Sequence, residues 1–351
     1  MIHSAYVFIL YPLPAINYPL PTLPMKSFTV DKFEATQRID RFLAKKFPGC
    51  PQSLIHKWIR TKKVKLDKKK VTPNTLLSVG DVVQLYVQDD VLGSFHDRKE
   101  GRLVEVNKNL ISQYIRVIHE DENILVLDKP ADIAVHQGLA KKEKGFHEHS
   151  LLEIVRAYCK TNGETHIPSL VHRLDKFTSG VLLCGKNPIS LRFYSEVFRD
   201  HKNEKVYLAL VKGRLKKPVG EIRLSLEKFD DEIGKVRVAL EGKLSRTKYR
   251  EVATFGNEAS LIEVSLETGR MHQIRVHFAA LGHPLAGDYV YGNKRWNDYM
   301  RKEYGLKRIF LHAAMLKLPK MEGKGYLTFE SPLPPELEKP LKSLENRGFQ
   351  D

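Results

Sequence analysis

Between Leu170 and Lys186 the chain reads Leu170-Val-His-Arg-Leu-Asp-Lys-Phe-Thr-Ser-Gly-Val-Leu-Leu-Cys-Gly-Lys186. A polar run, His172 to Gly180, separates two apolar ones, and Val181 to Cys184 reads as a buried strand. Polar groups beside a buried strand cost free energy unless they find partners. A simple turn there would need only Thr178, Ser179 and Gly180. It has no use for His172, Arg173 and Asp175 so close to a core. The chemistry on offer is that of a half-buried carboxylate.

Such a carboxylate needs a cation beside it to stay ionised. A second segment supplies candidates. The alternating strand Ile262-Glu-Val-Ser-Leu266 leads into Glu267-Thr-Gly-Arg-Met-His-Gln-Ile-Arg-Val-His277 and a helix to about Leu281. Arg270 and Arg275 bracket the start of that helix, and either could meet Asp175; spacing alone leaves both open. A third segment, Lys205-Val-Tyr-Leu-Ala-Leu-Val-Lys-Gly213, places Tyr207, Ala209 and Val211 on one strand face. A lone tyrosine on a strand reads first as core.

Other chemistries lack their motifs. There is no GxxxxGKS loop, no GxGxxG after a strand, no HExxH and no GxSxG. His147, Glu148 and His149 have no third donor at ligand spacing, so no metal site is expected. Cys50, Cys159 and Cys184 are the only cysteines, with no CxxC pair, so neither a disulfide framework nor a structural zinc is supported. A reducing compartment is the default.

The elements that would carry these residues fall into two groups. At 351 residues the chain is long enough for two domains. Its 58 Lys and Arg against 42 acids leave +16, which points to a polyanion. Residues 38–70 hold twelve of the cations and only two acids, and so ten of the sixteen net charges. There, Thr36 reads as the N-cap of a helix to about Phe47, with Ile39, Phe42, Leu43 and Phe47 inward. A second helix after Pro51 points Leu54, Ile55, Trp58 and Ile59 inward and His56, Lys57, Arg60 and Lys63 outward. A strand at Val64–Leu66 and another at 81–87 complete a small core with a basic face.

Residues 91–113 read as a linker. Short strands at 115–119 and 124–128 open a second domain near Tyr114, and Ser150 caps a helix to about Thr161. The first 25 residues carry five prolines and no Lys, Arg, Asp or Glu, which fits neither a secretory signal nor an arginine-rich presequence. They read as part of an unstructured extension, with a start at Met25 as the companion reading. No apolar run approaches the ~20 residues that span a bilayer.

On Arg38-Ile-Asp-Arg-Phe-Leu, Ser53-Leu-Ile-His-Lys-Trp-Ile-Arg, Val64-Lys-Leu-Asp and Val79-Gly-Asp81, the basic region resembles the small RNA-binding domain first described in ribosomal small-subunit protein four. The later segments together resemble the large-subunit ribosomal RNA pseudouridine synthases of the RluA class. The lead match is His172-Arg-Leu-Asp175 with Thr178-Ser-Gly180. It is supported by Lys129-Pro130, Val135-His136, Gly138, Tyr207 in Lys-x-Tyr-x-Ala-x-Val-x-Gly, and Thr268-Gly-Arg-x-His-Gln-Ile-Arg-x-His277. Gly282-His-Pro284, Gly287-Asp288, Tyr291-Gly292 and Leu311-His-Ala-Ala314 add to it. With an RNA-binding domain in front, the order is similar to the branch called RluC. Asp132 departs from the pattern, standing where glycine is usual, and the Lys- and His-rich insertion at 140–149 would bear on which RNA is accepted.

The resemblance implies an α+β fold: residues 1–35 an unstructured extension, 36–90 the RNA-binding domain, 91–113 a linker, and 336–351 a tail. Residues 114–335 would be the catalytic domain, a large, mostly antiparallel sheet flanked by helices. It implies isomerisation of uridine to pseudouridine in RNA, without cofactor or metal. Asp175 would be the catalytic carboxylate, and whether it attacks the sugar or takes a ribose proton is left open. Arg275 would hold Asp175 ionised. Tyr207 would stack on the uracil and share in the late proton removal. Arg173 would fill the gap left by the flipped nucleotide, and Arg270 and His272 would line the RNA path. Arg38, Lys57, Arg60, Lys62 and Lys63 would contact RNA through phosphates. A monomer in a bacterial cytoplasm, away from membranes, is expected ahead of an organellar protein. The rivals are a non-catalytic RNA-binding assembly factor and an RNA N-glycosidase.

Overall fold

A computed structural model describes residues 26–47, 50–87, 91–92, 108–136, 149–163, 166–228 and 235–348. The chain divides into two compact units, residues 1–101 and 102–351.

In the first unit, β1 (Lys26–Thr29), α1 (Ile39–Lys46), α2 (Gln52–Arg60), β2 (Val64–Leu66), β3 (Lys69–Lys70) and β4 (Val82–Leu85) follow one another. The strands form one sheet in the order β1-β4-β2-β3. This corrects the expected extension to residue 35. Lys26–Thr29 pairs antiparallel with β4, and Phe28 packs edge-on against Phe42 and Phe47. A four-residue edge strand leaves too short a pattern to stand out in sequence. Thr36 is not the helix cap either. It lies in the left-handed region at φ 60 with its N–H on the Leu77 carbonyl, so the helix begins only after Arg38. Ile39, Phe42, Leu43, Phe47, Ile55, Trp58 and Ile59 fill the core as their helical spacing requires. Leu92 is buried in it too, so the unit reaches past residue 90.

The second unit has seventeen further elements among its described residues. Its strands are β5 (Val117–Glu120), β6 (Ile124–Lys129), β7 (Ser169–Leu170), β8 (Ser179–Gly185), β9 (Glu204–Lys212), β10 (Val219–Lys228), β11 (Val236–Val238), β12 (Lys243–Phe255), β13 (Ala259–Leu266), β14 (Leu311–Pro319) and β15 (Tyr326–Glu330). Its helices are α3 (Lys108–Tyr114), α4 (Leu151–Thr161), α5 (Pro188–Arg199), α6 (Gln273–Ala280), α7 (Lys294–Tyr304) and α8 (Pro335–Gly348). One mixed sheet runs β11-β10-β12-β13-β9-β14-β8-β6-β5, with β15 on β14 and β7 on β8. Every pairing is antiparallel except β8 with β14. The fold is α+β. Alternation along β6 sends Leu125 and Leu127 to one face of the sheet and Ile124 and Val126 to the other, each into its own core.

Two expected boundaries are corrected here. Part of the expected linker is α3, whose Leu110 and Ile111 pack against the main core. The expected tail is α8, which buries Leu337 and Leu344 beside Trp296, Met300 and Phe310. Ser150 does begin α4, its N–H bonded to the Glu153 carboxylate at 2.7 Å. No helix among the described residues is long and apolar enough to cross a membrane. Residues 137–148, with Gly138, His147, Glu148 and most of the 140–149 insertion, lie outside the described ones.

Candidate active site

Asp175 follows β7 and precedes β8, in the turn that the sequence leaves polar. Three supports hold that turn from behind. The fully buried Lys129 donates to the carbonyls of Pro130, Lys176 and Thr178 at 2.9, 3.0 and 2.8 Å. Burial and the neighbouring Arg308 charge press its pKa down to about 7. Three acceptors nonetheless demand three N–H donors, which only the ammonium has. Arg308 donates to the Phe177 carbonyl, the Ser179 hydroxyl and the Glu336 carboxylate. Ser179 in turn donates to Nδ1 of His312 at 2.9 Å, and His312 Nε2 donates to the Ser331 carbonyl. At Gly180 the backbone takes φ 115 with Ala313 so close that a Cβ would collide with its carbonyl, so only glycine fits.

The approach to α6 forms the facing wall. Gln273 is saturated. Its oxygen accepts from Thr268 and the Arg270 N–H, and its amide nitrogen donates to the Arg246 carbonyl and Thr247. His272 is held in the left-handed region at φ 54, a conformation that persists where surrounding structure over-determines it. Tyr291 oxygen accepts the Val236 N–H at 2.8 Å, which leaves its own hydrogen for His272 Nδ1 at 2.9 Å. Burial lowers the His272 pKa despite the Asp175 charge, so the ring is neutral with its N–H on Nε2. That nitrogen lies 3.7 Å from Asp175.

The cation beside Asp175 is Arg275, with Nη1 3.5 Å from the carboxylate. Arg270 lines the same cleft without that pairing, which resolves the choice the spacing left open. Arg275 is itself gripped by Asp288, a residue singled out in sequence only as part of a Gly-Asp pair. Burial works against the Arg275 charge, but the hydrogen bonds and charge of Asp288 outweigh it and raise its pKa. Tyr207 projects from β9 into the cleft. Burial and the Asp175 charge push its pKa up, so it is a neutral phenol.

Arg173, Asp175, Tyr207, Arg270, His272 and Arg275 thus line one cleft of about 80 Å³. His172 does not join them. It stacks on Phe198, accepts the Leu183 N–H, and is driven by burial to a pKa of about 3, a neutral structural ring. Asp132 sits at φ 69, the left-handed conformation that suits glycine, and meets Lys176 at 3.5 Å.

A family model described as RNA pseudouridylate synthase matches residues 123–280, and one described as S4 domain matches residues 37–83. The chain is 35% identical over 334 residues to the ribosomal large subunit pseudouridine synthase C of Escherichia coli K12, covering 93% of this chain and 98% of that one. The chain belongs to the RNA pseudouridylate synthase family. The enzyme of the same name from Vibrio vulnificus is 35% identical over 90% of this chain and 95% of its own length. In fold, the chain is similar to human RNA pseudouridylate synthase domain containing 4, at a TM-score of 0.55 and 22% identity over 68% of this chain and 95% of that one. This RNA pseudouridine synthase is therefore an isomerase carrying an S4 domain. In that domain Lys57, Arg60, Lys62 and Lys63 are exposed, with no carboxylate partner among the described residues. Arg38 differs. Its charge is matched by the buried Asp40 through two hydrogen bonds.

Proposed function

We propose that this enzyme converts uridines of large-subunit ribosomal RNA to pseudouridine with Asp175 as the catalytic carboxylate. The observation that carries the reading is Asp175 as the one carboxylate among the described residues lining the cleft, beside Arg275 and the neutral His272, with Tyr207 in the same lining. The reaction breaks the bond from N1 to C1′ of the ribose, joins C5 to C1′, releases the C5 hydrogen to solvent as a proton, and leaves N1 with a proton in its place. No electron is gained or lost overall. The Arg275 guanidinium and the His272 N–H orient the carboxylate toward the ribose. Whether it attacks C1′ or takes a ribose proton, the carboxylate must be basic. Tyr207 offers a ring to stack on the uracil and a phenol to share in the late proton removal. Extruding the nucleotide costs a few kcal/mol. Arg173 fills the gap that the flipped nucleotide leaves, Arg270 and His272 line the RNA path, and Lys57, Arg60, Lys62 and Lys63 in the S4 domain offset that cost through phosphates. Action as a monomer in a bacterial cytoplasm accords with this reading.

The test is Asp175→Asn, assayed with a large-subunit transcript tritiated at uridine C5. The wild type is expected to release tritium and the variant none, with RNA affinity and melting temperature retained. Comparable release from both would overturn the role of Asp175. Free uracil would mark an N-glycosidase, and no release from the wild type would favour a non-catalytic assembly factor.

A further inference from the structure

Lys205 plays no part in the site described so far. It sits on β9 two residues before Tyr207, so the two side chains share a strand face. It is only 8% exposed. Among the described residues its ammonium has no carboxylate and no hydrogen-bond acceptor; it lies over the Phe198 ring at 5.6 Å, and its charge is felt by the neutral His172. A lysine this buried is ordinarily paired. Burial draws its pKa down to about 8, which still leaves it charged at pH 7.

Its surroundings say what the charge faces. A groove of about 600 Å³ is lined by His201, Lys205, Arg246, Lys248 and Glu267. Leu266 lines both this groove and the catalytic cleft. The Lys205 Nζ stands 3.8 Å from where a side chain on Gly269 would begin, and Gly269 is itself in the cleft wall. With no side chain there, a strand leaving the cleft can pass directly over the ammonium. The groove's other lysine and its arginine share a single carboxylate, Glu267, and Glu204, which also lines the groove, pairs with Lys317, so Lys205 is left with no acid of its own among the described residues.

We propose that Lys205 anchors a backbone phosphate of the RNA strand next to the target nucleotide, with the groove as the strand's path from the cleft. The inference rests on the reading that Asp175 acts on a uridine in RNA. The phosphate completes an ion pair for which the protein supplies only one half. A nucleotide held there fixes the register of the neighbour that enters the cleft.

The experiment uses the full chain and variants Lys205→Met and Lys205→Arg. Affinity for a large-subunit transcript fragment is measured against potassium chloride concentration. Loss of one phosphate contact should flatten the log–log salt slope of the Met variant by about 0.7 to 0.9, while the Arg variant keeps the wild-type slope. KM should rise for Met with kcat nearly unchanged. In a second arm the fragment carries a neutral methylphosphonate at each position flanking the target in turn. One position should weaken wild-type binding and have no further effect on the Met variant. An unchanged slope in a normally melting Met variant, or no sensitive position in the wild type, overturns the proposal. Tritium release by the wild type is recorded on the same RNA. Its absence sinks the functional reading, whereas release with an unchanged slope sinks the Lys205 anchor alone.

Discussion

Asp288 holds Arg275 by two of its nitrogens, Nε at 2.8 Å and Nη2 at 2.9 Å, and so turns the third, Nη1, toward Asp175. The same Asp288 carboxylate accepts the backbone N–H groups of Val290 and Tyr291. A rigid, nearly fully buried acid thus sets the angle from which the Asp175 carboxylate is approached.

Asp288→Asn is expected to lower turnover by about tenfold to a hundredfold, the scale on which small misplacements act. RNA affinity should change little. Stability should fall by about 3 kcal/mol, because removing one member of a buried pair strands the other. Tritium release and urea denaturation read the two effects. Turnover within twofold of wild type would mean that Asp288 does not position Arg275. Arg275→Met should likewise cost stability as well as activity, since it strands Asp288.

Gly180→Ala is expected to destabilise by roughly 3 kcal/mol or more, combining a left-handed backbone with a collision against Ala313. A melting temperature unchanged from wild type would show that the β8–β14 contact can relax.

Stability should fall as the solution is acidified below pH 6.5. Burial lowers the folded-state pKa of His172 to about 3, of His277 to about 4, and that of His312 below its usual value. The unfolded chain therefore binds these protons first, so acid favours unfolding from about pH 6.5 down to about 4 for His277 and about 3 for His172. Urea midpoints that stay flat between pH 7 and 4.5 would contradict this.

Replacing Lys57, Arg60, Lys62 and Lys63 together with alanine is expected to flatten the salt dependence of RNA binding by up to about 3.6 units, at about 0.7 to 0.9 per phosphate. Catalytic turnover at saturating RNA should persist. An unaltered salt slope would remove these residues from the RNA footprint.

Much of this was legible in local pattern. The alternation in Ile262–Leu266, the Ser150 cap and the inward faces of α1 and α2 follow from periods of two and about 3.6 residues. The polar knot around Asp175 was visible because it sits against a buried strand. What could not be read are partnerships that leave no period. Asp288 is thirteen residues from Arg275 in a loop, and Lys129 meets carbonyls almost fifty residues away. Thr36 misled because threonine is a good cap by type, while here its backbone is committed to Leu77.

The parallel contact of β8 with β14 joins Ser179 to His312, 133 positions apart in the chain. Asp175, Tyr207 and Arg275 all precede β14 in order of synthesis. A chain stopped near residue 305 should therefore carry all three of these residues yet release no tritium, because Arg308 and His312 are not there to brace the turn. Long-range closures of this kind come late in folding. The turn that carries Asp175 therefore gains its Arg308 and His312 braces only once the strand that closes the sheet has been made.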